Sequence, residues 1–234
     1  MTKSRHILAI GGGGFATTPR NIVFSRYLLE LTEKRRPRLC YIPTASGDGE
    51  VRIGGFYQAM ATHHPEATAS HISLFHREGS LERAVAEADV LYVGGGNTFN
   101  MLLLWKAWGL DSLLRQAYES GKILAGHSAG ANCWFEQFLT DSTGELDMMP
   151  GLGWLKGAFC PHFDSEEKRP AAYRKSLNTL GLAGWAADDD AAVHFINEKP
   201  HRLLASRKDA RTHQFTFVKD GLKEKALKPD VLKD

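Results

Sequence analysis

Four short apolar runs, each leading straight into a turn sequence, constrain the fold of this chain more than any other feature. His6 to Ile10 (HILAI) ends at Gly11–Gly14, and Arg38 to Pro43 (RLCYIP) ends at Thr44-Ala45-Ser46. Asp89 to Val93 (DVLYV) enters Gly94-Gly95-Gly96-Asn97, and Lys122 to Ala125 (KILA) enters Gly126-His127-Ser128-Ala129-Gly130. The runs are continuous rather than alternating, the pattern of strands covered on both faces. Between them lie stretches with helical spacing. Asn21 to Lys34 offers Ile22, Phe24, Tyr27, Leu28 and Leu31 to one face. Gly55–Thr62, Leu81–Ala88, Thr98–Trp108 and Ser112–Glu119 follow, the last two broken at Gly109. His71 to Phe75 adds a strand. This alternation implies βαβ units and a doubly wound, mostly parallel sheet with helices on both faces. Beyond Ser128, Ala131–Phe135 and Pro170–Leu180 read as helices. Ala191–Ile196, Leu203–Ser206 and Gln214–Val218 read as short strands that extend the sheet with an antiparallel edge. No linker, repeat or low-complexity segment interrupts the chain, so one α/β domain over 1–234 is expected.

The bulk numbers narrow the partners. A chain of 234 residues with 43% apolar and 24% charged residues is an ordinary globular composition, long enough to bury a sizeable core. Lys+Arg total 29 against 27 for Asp+Glu, with no basic stripe, which argues against nucleic acid as a partner. The Lys- and Asp-rich segment Lys219 to Asp234 reads as a solvated edge or tail. Three cysteines, Cys40, Cys133 and Cys160, without a CxxC, fit neither a disulfide framework nor a structural zinc site. No apolar run suits a secretory signal or approaches the ~20 residues that span a bilayer. The expectation is a cytoplasmic monomer or homodimer with no membrane partner, metal or cofactor.

The turn at Ser128 carries the chemistry. Gly126-His127-Ser128-Ala129-Gly130 fits the G-x-S-x-G nucleophile elbow, where a strand turns abruptly into a helix and the serine stands at the apex. Gly126 and Gly130 remove side chains that would collide across the turn. A serine hydroxyl needs a base, and the base needs an orienting acid. His127 adjoins Ser128, but neighbouring side chains on a tight elbow diverge, so it reads as a pocket lining. His162 lies in Cys160-Pro161-His162-Phe163-Asp164, after the apolar run Trp154–Phe159, at an expected strand end or loop. His194, His201 and His213 are alternatives. Glu136, Asp141, Glu145 and Asp147 are candidate acids between the serine and His162. The second site feature is Gly94-Gly95-Gly96-Asn97-Thr98, whose backbone N–H groups could hold a phosphate or an oxyanion. The Ala129 N–H, just after the nucleophile, is the natural second oxyanion donor. Gly11–Gly14 is not G-x-G-x-x-G, since Ala16 stands at the sixth position, and no acid ends the second strand to hold a ribose.

Three stretches together, VGGGNTFNMLLLW (Val93–Trp105), GHSAGANCWF (Gly126–Phe135) and CPHFD (Cys160–Asp164), resemble the serine peptidases that include peptidase E (α-aspartyl dipeptidase) and, more distantly, cyanophycinase. The segment YIPTAS (Tyr41–Ser46) is similar too. The resemblance implies a sheet like that of class I glutamine amidotransferases, with serine in place of their cysteine. It implies Ser128 as nucleophile, His162 as base and an oxyanion hole from the N–H groups of Gly96 and Ala129. Members carry their acid in a Thr-Asn-Asp stretch, matched here by Thr140-Asp141-Ser142, which selects Asp141 with Glu136 in reserve. An arginine beyond the histidine holds an N-terminal aspartate in peptidase E. Arg169 is the matching candidate here and Arg174 the second, with Asn97 of the glycine turn as a further substrate contact. The implied substrate is a short peptide, cleaved by a dipeptidase or exopeptidase with an aspartyl preference. Two other readings remain open: an esterase of α/β-hydrolase type with His201 or His213 as base, and a nonenzymatic protein that binds a small ligand at the glycine turns.

Overall fold

The apolar runs become strands whose successive residues feed two different cores. The computed structural model describes residues 4–14, 21–77, 79–219 and 221–233. The parts of the N-terminal, dinucleotide and C-terminal readings that fall on 1–3, 15–20, 220 and 234 lie outside the described residues. In chain order the first half comprises β1 (His6–Ile10), α1 (Val23–Glu30), β2 (Arg38–Ile42), α2 (Glu50–His63), β3 (Thr68–His71), α3 (Leu81–Glu87), β4 (Val90–Val93), α4 (Thr98–Trp108), α5 (Leu110–Glu119) and β5 (Ile123–His127). The second half comprises α6 (Ala129–Asn132), β6 (Phe135–Thr140), β7 (Asp147–Pro150), β8 (Leu155–Cys160), α7 (Arg169–Leu180) and β9 (Gly184–Ala187). It ends with β10 (Ala191–Ile196), β11 (Lys199–Ala205), β12 (Thr212–Val218), β13 (Gly221–Leu227) and β14 (Asp230–Val231).

The larger sheet has the order β14-β11-β10-β1-β5-β4-β2-β3. Its half from β1 to β3 is parallel, and β10 and β11 join it antiparallel, which is the expected doubly wound sheet with an antiparallel extension. Side chains alternate across each strand. Ile7, Ala9, Cys40, Ile42, Leu91, Val93 and Leu124 point into a core with α3, α4 and α5. Leu8, Ile10, Leu39, Tyr41, Val90, Tyr92 and Ala125 point into a second core with α1 and α2. Continuous apolar runs are the consequence of this two-sided burial.

Three sequence expectations change. The helix after the elbow is only Ala129–Asn132, and Phe135–Thr140 is a strand, not a helix. That strand belongs to a second sheet, of order β13-β12-β9-β8-β6-β7, which the sequence pattern did not separate from the first. One face of the second sheet packs on α7 through Leu139, Ala158, Tyr173, Leu177 and Phe215. Its other face sends Phe135, Leu155 and Phe159 into the core on α3–α5. Gln214–Val218 therefore extends this sheet rather than the first, and Gly221–Leu227 of the supposed tail pairs with it as β13. The strand expected at His71–Phe75 lies earlier, at Thr68–His71. Among the described residues no helix is long and apolar enough to cross a membrane.

A half-buried histidine on β1 and a buried one on β10 form a line that reaches α1. His6 Nδ1 lies 3.0 Å from His194 Nε2, and His194 Nδ1 lies 2.8 Å from the Tyr27 hydroxyl. Burial, with His6, His201 and Arg202 as positive neighbours, pushes His194 down to about 3. Burial also lowers His6 and His64. The unfolded chain takes up these protons near the ordinary value of about 6.5, whereas the native protein resists them. Stability is therefore complete above that value and falls as the pH drops from it toward the native values. The urea midpoint is expected to be lower at about pH 5 than at about pH 7.5. Equal midpoints would contradict this account.

Candidate active site

Every loop at the carboxyl ends of β1, β2, β4 and β5 opens on one crevice, the usual position of a site in a parallel sheet. Ser128 follows β5 and has φ 54° and ψ −114°, a backbone conformation that a non-glycine residue holds only when its surroundings impose it. They do so through close contacts. A Cβ on Gly126 would lie 2.5 Å from the Gly130 carbonyl oxygen, and one on Gly130 would overlap the Val93 carbonyl of β4. The Ser128 N–H donates to Ile10 O of β1 at 3.1 Å, and Ser128 O accepts from the N–H groups of Ala131 and Asn132 at 2.9 Å each. The elbow is thus clamped between β4 and β1. Because α6 has four residues, it contributes the free amide donors of a first turn rather than a long dipole.

His162 Nε2 lies 2.8 Å from Ser128 Oγ. It stands just past β8 in the left-handed region, φ 53°, a second non-glycine residue held in an uncommon conformation. Its Nδ1 lies 2.6 Å from Asp189 Oδ1. With Asp189 as acceptor, Nδ1 carries the ring proton and Nε2 presents a lone pair to the serine hydroxyl. The hydrogen bond from His162 is the main cause that holds the Asp189 carboxyl below its ordinary value, against the opposing effect of burial.

The acid is the correction here. Asp141 was expected to orient His162, but its carboxylate is exposed and sits 3.6 Å from Arg169. Glu136, the reserve, is on β6 and accepts from Lys156 Nζ and the Gly157 N–H, both at 2.8 Å. Asp189 comes from the β9–β10 loop, inside a run of three aspartates, each with its own partner. Asp188 accepts from the Arg211 N–H at 2.8 Å, and Asp190 accepts from Asn21 Nδ2 at 2.6 Å. Asp164, from the same short block as His162, accepts from the Asp189 N–H at 2.8 Å and is bridged by Arg207, which also lies 3.5 Å from Asp190. The run of three consecutive aspartates marks this loop in the sequence without distinguishing which of them meets His162.

Gly12 explains why the first glycine run is needed. It bridges to Asp189, and Gly12 O accepts from the Asp190 N–H at 3.0 Å. A Cβ there would overlap Asp189 Oδ1 and come within 2.6 Å of His162 Nδ1 and Cε1. The His162–Asp189 pair therefore rests directly on bare backbone.

The second glycine run lies across the crevice. Gly96 has φ 139°, and a Cβ on it would strike the Ala45 carbonyl. Gly96 is exposed, and the Gly95 N–H is already engaged, donating to His127 Nε2 at 3.1 Å. Asn97, expected to touch substrate, instead caps α4. Its Oδ1 accepts from Asn100 N and its Nδ2 donates to Ser142 O, both at 2.8 Å. Arg169, the other expected substrate contact, is 4% exposed and binds Glu166 at 2.6 Å and Leu139 O at 3.2 Å. It joins α7 to the second sheet. Arg174 pairs with Glu224 at 2.6 and 3.0 Å. The remaining histidines are also placed elsewhere: His201 packs edge-on against His194, and His213 lies between Asp188 and Glu224.

The model of Peptidase family S51 matches residues 7–203 of the chain. The uncharacterized peptidase YgaJ of Bacillus subtilis (strain 168) is 45% identical over 222 residues, covering 94% of this chain and 96% of that protein. Peptidase E of Haemophilus influenzae is 25% identical over 186 residues, covering 74% of this chain and 83% of that protein. Among solved structures, a peptidase from an acI-B1 Actinobacterium is similar with TM-score 0.70 at 19% identity, covering 98% of this chain and 95% of that one. A putative peptidase E protein from Listeria monocytogenes EGD-e gives TM-score 0.63 at 17% identity, covering 85% and 97%. The two structural likenesses bear on the fold.

The Gly12 contact gives a direct test of the geometry. Gly12→Ala is expected to leave the circular dichroism spectrum unchanged while slowing reaction of Ser128 with a fluorophosphonate on the order of 100-fold, because a displacement of about 1 Å at a reacting group has that effect. Labelling at the wild-type rate would show that the His162–Asp189 pair does not depend on this approach.

Proposed function

The chain belongs to peptidase family S51, and from that premise we propose that it is a serine-type peptidase acting on short peptides through an acyl-enzyme on Ser128. The observation that carries this reading is the unbroken line Ser128 Oγ, His162 and Asp189, with spacings of 2.8 and 2.6 Å, set on a strained elbow. His162 Nε2 removes the proton as Ser128 Oγ attacks the peptide carbonyl. Asp189 holds the ring tautomer and favours the imidazolium that forms. The developing oxyanion is received by the N–H groups of Ala129 and Gly96. As the tetrahedral intermediate collapses, the C–N bond breaks and His162 gives its proton to the leaving amine. A water then attacks the acyl carbon as it gives a proton to His162; the C–Oγ bond breaks, His162 returns the proton to Ser128 Oγ, and the acid is released.

The restriction to dipeptides or other short peptides rests on the likeness to peptidase E relatives and on no contact described above. An aspartyl preference would need a cation other than Arg169 or Arg174, since both are engaged with carboxylates within the fold. The esterase reading is disfavoured because His162 fills the place beside Ser128 Oγ, while His201 packs on His194 and His213 lies between Asp188 and Glu224. The closed hydrogen-bond line from nucleophile to acid also disfavours a purely ligand-binding role.

A dipeptide and tripeptide panel tests the reading, with product identity showing which end is released. Ser128→Ala and His162→Ala are each expected to lower kcat by about 10⁴–10⁶-fold with the fold intact. Asp189→Ala is expected to lower it by about 10⁴-fold, while Asp141→Ala changes it little. A Ser128→Ala protein that retains near-full activity would refute the mechanism. A large loss in Asp141→Ala with none in Asp189→Ala would reassign the acid. His201→Ala and His213→Ala are expected to keep their activity.

A further inference from the structure

The residue before the nucleophile takes no part in the proton line, yet it is among the most buried polar groups in the molecule. His127 is 3% exposed. Its Nε2 accepts the Gly95 N–H at 3.1 Å. An amide nitrogen can only donate, so Nε2 must carry a lone pair and Nδ1 the proton. Nδ1 lies 3.0 Å from the hydroxyl of Tyr92, a fully buried residue of β4, which accepts that proton and fixes the tautomer. The ring thus ties the elbow to the glycine turn that faces it.

The turn is held at its two ends, where the Gly94 N–H donates to Ile42 O at 3.0 Å and the Asn97 N–H to Ala45 O at 2.8 Å, and His127 holds the Gly95 amide between them. Glycines have no side chains to pack, and their backbone has the widest conformational freedom. Yet the approach is close at each position. A Cβ on Gly94 would lie 2.5 Å from the Tyr41 hydroxyl, and one on Gly95 would lie 2.9 Å from His127 Nε2 and 3.2 Å from Ser128 Cβ. Side chains are excluded there so that the backbone can reach the nucleophile. The His127 acceptor then decides which amide is occupied: Gly95 N–H points into the protein, and the next amide, on exposed Gly96, is left for the crevice.

Resting on the serine-peptidase reading above, we propose that His127 is a positioning residue of the oxyanion pocket, a neutral acceptor that locks the Gly94–Gly96 turn so that the Gly96 N–H faces the reacting carbonyl. The role requires an uncharged ring, and the surroundings enforce it. Burial, then the nearby positive charge of His162 and of Arg52, pushes His127 down to about 3. It therefore stays neutral at the moment His162 becomes a cation. A second positive ring beside that imidazolium would oppose proton uptake by the base, and it would also lose its bond to Gly95.

The test uses a fluorophosphonate, whose phosphoryl oxygen enters the oxyanion pocket as Ser128 is modified, with saturation kinetics separating the maximal labelling rate from the half-saturating concentration. His127→Leu is expected to lower the maximal rate about 100-fold, the loss typical of one oxyanion donor, with little change in half-saturation. His127→Gln can place its Oε1 where Nε2 accepts from Gly95, and it is expected to recover most of the rate. Tyr92→Phe frees the tautomer and is expected to fall between wild type and His127→Leu. A His127→Leu protein that labels at the wild-type rate overturns the proposal. So does a loss confined to half-saturation, or a His127→Gln protein no faster than His127→Leu. If His127→Leu does not fold, an unchanged maximal rate in Tyr92→Phe overturns it as well. A wild-type protein that the probe does not label, as Ser128→Ala should not be, refutes the serine reading and this role together. Normal wild-type labelling with indifferent His127 variants refutes only the role.

Discussion

The join between the end of β1 and the residues 188–191 is the contact on which the rest of the site depends. The Gly11 N–H donates to Ala191 O at 2.9 Å, and Gly12 O accepts from the Asp190 N–H at 3.0 Å. These bonds link the first strand of the chain to the loop between β9 of the second sheet and β10 of the first. Without the join, Ser128 would belong to one sheet and His162 and Asp189 to the ends of strands in another. With it, β8 and β9 deliver histidine and aspartate to the carboxyl end of β5. The tolerance is narrow because backbone meets backbone there. Close-packed interiors transmit small displacements rather than absorbing them, so a methyl group at Gly12 has no direction in which to relax.

The elbow is the complementary half of the same constraint. Ser128 and His162 both hold positive φ, and conformations of this kind cost about 1–3 kcal/mol each when the surroundings do not compensate. Here β1 supplies an acceptor to the Ser128 amide, while α6 donates two N–H groups to its carbonyl. The Phe163 N–H, just after His162, donates to Ala187 O of β9 at 3.2 Å. Strain at Ser128 and His162 is thus offset by hydrogen bonds from the elements that flank them, which fix their geometry within the fold.

Much of this was legible in the sequence for a physical reason. Strands buried on both faces must be apolar throughout, so β1, β2, β4 and β5 announce themselves, and the glycines at 126 and 130 follow from the steric demand of the elbow. His162 was legible from its setting at the end of an apolar run. Asp189 was not, because a carboxylate's role depends on what the loop around it meets, and neighbours such as Asp188 and Asp190 share the same local pattern. The resemblance directed attention to Thr140-Asp141-Ser142, where the structure instead shows Ser142 Oγ accepting from the Thr98 N–H at 3.0 Å at the start of α4. The second sheet was hidden for a different reason. Its outer strand β13, Gly221–Leu227, carries Lys223, Glu224 and Lys225 on a solvated edge, the charged dressing that keeps edge strands from pairing with other chains. Such a strand has the composition of a tail and reveals itself only through its backbone pairing with β12.

The charges around the His162–Asp189 pair are balanced within their own loop. Asp189 meets His162 Nδ1 at 2.6 Å. Asp164 and Asp190 lie close by and would otherwise add two more negative charges to the same loop. Arg207 reaches both, so the loop's excess charge is balanced by a side chain that does not touch His162. His162 and Asp189 are themselves partly open to solvent, with side chains 22% and 31% exposed, so water screens their attraction. The pair's value then lies chiefly in orientation: a ring whose tautomer and plane are fixed. On the opposite wall, buried His127 accepts from the Gly95 N–H through the lone pair of Nε2. One imidazole joins a hydroxyl to a carboxylate, and the other accepts from a backbone amide. The two differ in burial: His162 is partly open to solvent, whereas His127 is sealed, and that burial holds His127 well below the ordinary histidine value.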